Sequence, residues 1–99
     1  MVKHVILWKL KDMSPEQTAT VKAEMKEHLE ALAGKIPGLL EINVYTDKLD
    51  SSNVDVMLDS SFTDEAALKA YAVHPDHVAA ADGYVRPYTA SRACLDFTV

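Results

Sequence analysis

The chain has one cysteine, Cys94, so no internal disulfide can form, and no second thiol stands near it to build a paired thiolate metal site. A reducing, cytoplasmic setting is the expectation. Positive charge is also scarce. Ten Lys and Arg against fifteen Asp and Glu leave a formal net charge of -5, and the basic grouping at the N-terminus is only the spaced Lys3, Lys9 and Lys11. The electrostatic footprint of a phosphate-backbone binder is therefore missing, which argues against a nucleic-acid partner. Long apolar runs are absent too. The stretch VILW, residues 5–8, is flanked by lysines and is far too short to span a bilayer or to serve as a signal-peptide core, so no membrane partner and no targeting segment are expected. With three glycines, none in a phosphate-cradling pattern, nucleotide and flavin cofactors are disfavoured, and no cofactor is expected.

What remains is an ordinary globular composition: 48% hydrophobic and 25% charged residues in a chain of 99, enough to bury a core as one domain over residues 1–99. From Val2 to Lys11 the residues are rich in β-branched and aromatic types. One parity carries Val2, His4, Ile6, Trp8 and Leu10, and the other carries Val5 and Leu7, a strand with both faces at least partly buried. In SPEQ, Ser14 is placed to cap a helix with Pro15 at its first position and Gln17 as the capping-box partner. Val21, Met25, Leu29, Leu32 and Ile36 form one apolar stripe, with Gly34 marking the end of that helix.

Leu40, Ile42 and Val44 then alternate with Glu41, Asn43 and Tyr45 in a second strand. Val54, Val56, Leu58 and Phe62 point inward from a third, paired with it as an antiparallel hairpin. Thr63 is the expected cap of a second helix that must stop near Val73, because Pro75 pushes the residue before it out of the helical region. Pro75 restarts a short turn or helix that Gly83 can end. A last strand follows with Ala93, Leu95, Phe97 and Val99 on one parity. The order β-α-β-β-α-β is the ferredoxin-like α+β arrangement, one antiparallel sheet with its helices on one face. Val5, Leu7 and Met57 are apolar on the face the helices leave open, either as scattered surface residues or as the seat of a partner chain packing sheet against sheet.

VKHVILWKLK, IPG, the block ending AALKAY, HPDH and the late LDF, in this order and across nearly the whole chain, resemble the stress-responsive A/B barrel, or Dabb, domain family. The most specific element is AYAVHPDHV. The resemblance implies a homodimer in which two sheets face each other to make an α/β barrel. It implies less about activity, because the family mixes proteins of unknown role, stress-associated assemblies and a few enzymes. In a plant polyketide cyclase of the family, the working tyrosine and histidine of the Y-x-x-H-P-x-H block match Tyr71 and His77, and a further pocket histidine matches His4. A third pocket histidine aligns with Val56 and is absent here. The chain also departs from the family at Tyr45, where a glycine is common.

The residue types suit such chemistry. A neutral His77 is a natural general base for removing a proton α to a carbonyl, and the Tyr71 phenol can donate to the developing enolate oxygen. The expected small, mostly apolar pocket is mouthed by Tyr71, His74, His77 and Tyr84, with His4 and Trp8 as further candidate ligand contacts. Each has a plainer role available. His74 before proline suits a turn cap, His4 suits a core histidine bonded to a backbone carbonyl, and Cys94 suits a small core hydrophobe. No metal site is expected, since HPDH offers only His74, Asp76 and His77 across a proline that breaks helical spacing. The expectation is thus a homodimeric domain with a pocket for a small apolar or aromatic molecule, of stress-associated or unknown role; the alternative is a cofactor-free cyclase or lyase using His77 as base. A related cofactor-independent monooxygenase would share the fold, though no residue argues for it.

Overall fold

A computed structural model describes residues 1–99. The elements in chain order are β1 (Val2–Leu10), α1 (Pro15–Glu30), β2 (Leu39–Tyr45), β3 (Val56–Phe62), α2 (Glu65–Val73), α3 (Pro75–Tyr84), a 3-10 turn (Arg86–Tyr88) and β4 (Thr89–Thr98). The four strands form one antiparallel sheet in the order β2-β3-β1-β4, the ferredoxin-like arrangement. No helix is long and apolar enough to cross a membrane.

Each helix begins where its cap chemistry dictates. Ser14, in an extended conformation, accepts a hydrogen bond from the Gln17 amide at 3.1 Å, and Pro15 opens α1. Ser14→Ala should therefore lower stability by about 1 kcal/mol, read as a lower urea midpoint at unchanged m-value. The apolar stripe of α1 outlasts the helix itself. Leu32 and Ile36 are buried beyond Glu30 on a run of tightened turns, with Leu32 N bonded to Leu29 O and Lys35 N to Leu32 O. Asp64, not Thr63, caps α2: its carboxylate accepts from Ala67 N at 2.8 Å, while Thr63 N is committed to Gly38 O. Gly83 does not end α3, which continues through Tyr84 to Val85. Without a positive φ at Gly83, nothing there stops the helix.

β2 contains the one strand whose parity differs from the alternation. Leu39 pairs with Phe62 and Glu41 with Ser61, so an irregularity at Leu40 lets Leu39 enter the core and turns Leu40 out to solvent, 55% exposed. Val54, expected inward on the third strand, lies before β3 and is only half-buried. The core lies between the helices and one face of the sheet, around Phe62, Met25, Leu58, Val44 and Val56.

The other face has no helix. In register across it stand Val5 with Leu95, Leu7 with Met57 and Ala93, and Tyr45 with Met57. Leu95 and Tyr45 are 64% and 56% exposed. At one end of this face Lys3 Nζ bonds Asp59 at 2.6 Å and Ser61 Oγ at 3.1 Å, and Ser61 Oγ reaches Glu41 at 3.2 Å. The open face is an apolar patch bordered by a charge network.

Candidate functional site

β4 is an edge strand, and the helices pack over β1, β2 and β3, so both its faces are open. On the helix side, register places Arg92 beside Trp8, Cys94 beside Ile6 and Asp96 beside His4. Cys94 is consequently exposed instead of packed in the core. Between this side of β4 and α2 runs a cleft of about 600 Å³. Val2, Leu68 and Ala72 supply apolar surface there, and His4, Arg92, Cys94 and Asp96 supply polar groups, with Glu65 and Lys69 at the rim.

His4 is buried, yet it is not tied to a backbone carbonyl. Its Nδ1 hydrogen-bonds the Asp96 carboxylate, and Cys94 Sγ lies 3.8 Å from the same nitrogen and 3.5 Å from Asp96 Oδ1. Its backbone carbonyl accepts from the buried Ser60 hydroxyl at 2.9 Å. The pair fixes the ring orientation by the logic of a carboxylate-oriented histidine. Burial, reinforced by the Asp96 charge, pushes the Cys94 thiol up from its ordinary pKa, so it is protonated at neutral pH.

The Y-x-x-H-P-x-H block sits behind this cleft. Tyr71 is 2% exposed, in edge contact with Phe62 at 5.0 Å and His4 at 6.1 Å between ring centroids. Its hydroxyl is buried with no hydrogen-bond partner, and burial pushes its pKa well above the usual phenol range. His77 lies against Tyr71 with centroids 4.2 Å apart, and its Nδ1 stands 3.3 Å from the Ala72 carbonyl. His74 accepts from Asp76 N at 3.1 Å through Nδ1 and so caps α3. The remaining candidates are elsewhere: Trp8 is in the core, and Tyr84 stacks on His28 at 3.6 Å, away from the cleft. The structure thus brings Tyr71, His77 and His4 together, leaves His74 in a capping role, and adds Arg92, Cys94 and Asp96. Their shared parity along β4 was the available signal, opposite to that of Ala93, Leu95 and Phe97, but only the β1 to β4 register places them beside His4.

Burial lowers the His77 pKa below its ordinary value, outweighing the opposing bond to Ala72 O. Because the unfolded chain then binds the proton more readily, the stability His77 contributes is full above about pH 6.5 and falls as pH drops through that value toward the folded pKa. His77→Gln should flatten this part of the stability profile, measured as urea midpoints between about pH 7 and pH 5.

Residues 2–99 match the sequence pattern described as Stress responsive A/B Barrel Domain. Among curated proteins, none matches the chain. Among solved structures, a dimeric ferredoxin-like protein of unknown function from Bacteroides fragilis is 35% identical, with a TM-score of 0.92 over 99% of this chain and 95% of that one. A dimeric ferredoxin-like protein of unknown function from Thermobifida fusca is 27% identical, with a TM-score of 0.77 over 99% and 90%. A putative antibiotic biosynthesis monooxygenase from Nitrosomonas europaea shares the fold, with a TM-score of 0.76 at 13% identity over 100% and 98%. The match across nearly the whole chain and the similarity to the Bacteroides fragilis protein make this chain a member of the stress responsive A/B barrel domain family.

Proposed function

We propose that the protein is a homodimer that binds a small apolar or aromatic molecule in the cleft between α2 and β4. The observation that carries the ligand half is His4: buried at the cleft floor, its Nδ1 is held by Asp96, and no protein group bonds its Nε2. A histidine so oriented presents one nitrogen of fixed character to whatever occupies the cleft, while Leu68, Val2 and Ala72 shed water from its apolar part. The dimer half rests on the helix-free face, where Val5, Leu7, Met57, Ala93 and Leu95 stand in register, and on the dimeric character of its relatives.

A thermal-shift screen of small aromatic acids, phenols and apolar alcohols tests the ligand half. A ligand present at a hundred times its dissociation constant stabilises the native state by about 2.7 kcal/mol. Asp96→Asn, which removes the charge orienting His4, should weaken that ligand roughly tenfold, the scale of one charge-assisted hydrogen bond. Binding that is unaffected by Asp96→Asn would place the ligand elsewhere.

A second reading is a cofactor-free cyclase or lyase with His77 as base. Two observations favour it: the unpartnered, buried Tyr71 hydroxyl, and a His77 ring kept neutral by burial in contact with it. Tyr71→Phe separates the readings. It should leave binding by the cleft intact, whereas turnover by a Tyr71 and His77 pair would fall by on the order of a hundredfold or more.

A further inference from the structure

We infer that His4, Cys94 and Asp96 form a zinc-type transition-metal site at the floor of the cleft. Such a site does not depend on what small molecule the cleft admits. Three different donor atoms converge there from two adjacent strands: an imidazole Nδ1, a thiol Sγ and a carboxylate Oδ1, all within 4.8 Å of one another. The two sulfur distances, 3.8 Å to nitrogen and 3.5 Å to oxygen, already lie near the edge of about 3.5 Å that joins sulfur to a lighter ligand in a tetrahedral zinc centre.

The nitrogen and oxygen are closer than this because a proton joins them, and they must open to about 3.3 Å around a metal. Asp96 can supply that movement, since it is exposed on an edge strand, while buried His4 stays in place.

The chemistry selects the ion. Thiolate and imidazole together favour zinc or cobalt over magnesium and calcium, which take oxygen. On binding, the Cys94 thiol proton leaves to solvent and the His4 proton resides on Nε2, so that Nδ1, Sγ and Oδ1 each donate a lone pair. One thiolate and one carboxylate then balance the double charge of the ion. The cleft supplies open space for a water or a ligand atom in the fourth position, the arrangement of an open zinc site. Arg92, two residues from Cys94 on the same side of β4, is the cation the metal must compete with.

Cobalt chloride titrated into the reduced, full-length protein tests this. The expected result is a thiolate-to-cobalt charge-transfer band in the near ultraviolet, saturating at one ion per chain, reversed by zinc and untouched by magnesium. Cys94→Ser should abolish the band. Asp96→Asn should retain it but weaken cobalt binding more than about tenfold, taking the loss typical of an outer-shell partner as a lower bound. Both positions are exposed, and thermal melts establish that each variant is folded. No band at millimolar cobalt, a band that survives Cys94→Ser, or unchanged affinity in Asp96→Asn would each overturn the site. Because the readout is metal alone, a failure here leaves the small-molecule cleft standing, and a failed ligand screen leaves the metal site standing.

Discussion

Leu7→Lys is expected to convert a particle of twice the 10.9 kDa chain mass into a poorly stable monomer, read by light scattering at micromolar concentration. Leu7 lies on the inner strand β1, with Met57 on one side and Ala93 on the other, at the middle of the helix-free face. A two-fold interface uses the same patch on both chains, so each dimer takes the substitution twice. A lysine can reach out toward the rim with its ammonium, which limits the cost per copy. Even so, losing two leucines from the interface and partly desolvating two charges should weaken association by on the order of 4 kcal/mol, about a thousandfold. The monomer would then expose Val5, Leu7, Met57 and Leu95 to water, which is why its melting point should fall as well. A well-folded 10.9 kDa monomer for the unmodified protein would remove the homodimer from the proposal.

Gly38→Ala is the second large effect. Gly38 has φ +82, a conformation that costs an L-residue about 1–2 kcal/mol. A Cβ built there would also stand 2.5 Å from Ala67 Cβ and 3.0 Å from Thr63 Oγ1, so α2 must shift to admit it. Overpacking of that kind costs a further 1–3 kcal/mol or so. The Gly38 carbonyl accepts the Thr63 amide at 2.9 Å, so the strain falls on the junction that fixes where α2 starts. A total of roughly 2–5 kcal/mol corresponds to a fall in melting temperature of about 4–8 °C per kcal/mol for a domain of this size. Gly34 is the internal control. It has φ +78 with nothing within 4 Å of an added methyl, so Gly34→Ala should cost only the backbone part, about 1–2 kcal/mol. Equal losses at the two positions would mean that α2 yields freely.

Gly38 also shows what periodicity cannot carry. IPG marks a turn in the sequence, but beside the positive φ a second reason for glycine at 38 is the close approach of Ala67, which exists only once α2 is laid over the turn. The order of elements was legible, because Ser14 and Pro15 announce α1 and Pro75 breaks α2 from α3 through purely local chemistry. The second apolar face was legible in Val5 and Leu7 for the same reason. Leu40 was not, since a single irregularity in the β2 to β3 ladder reverses the parity of everything before it. Cleft residues fared similarly. Tyr71, His77 and His4 could be singled out by type, whereas Arg92, Cys94 and Asp96 acquire meaning only from β4 lying beside β1 outside the cover of the helices. Trp8 shares its parity with His4, but packs fully under the helices, where β4 no longer leaves a cleft.

The most direct measurement is a titration of the isotopically labelled protein with the best small aromatic acid, phenol or alcohol from the thermal screen, followed by backbone amide and histidine ring nitrogen resonances. The shifts should concentrate at His4, Leu68, Ala72, Arg92, Asp96 and Phe97, with the His4 Nε2 resonance moving most and the His28 and Tyr84 pair still. Saturable shifts centred on His28 and Tyr84, or no saturable shift at His4 and Asp96 with any compound of the panel, would contradict a ligand cleft between α2 and β4.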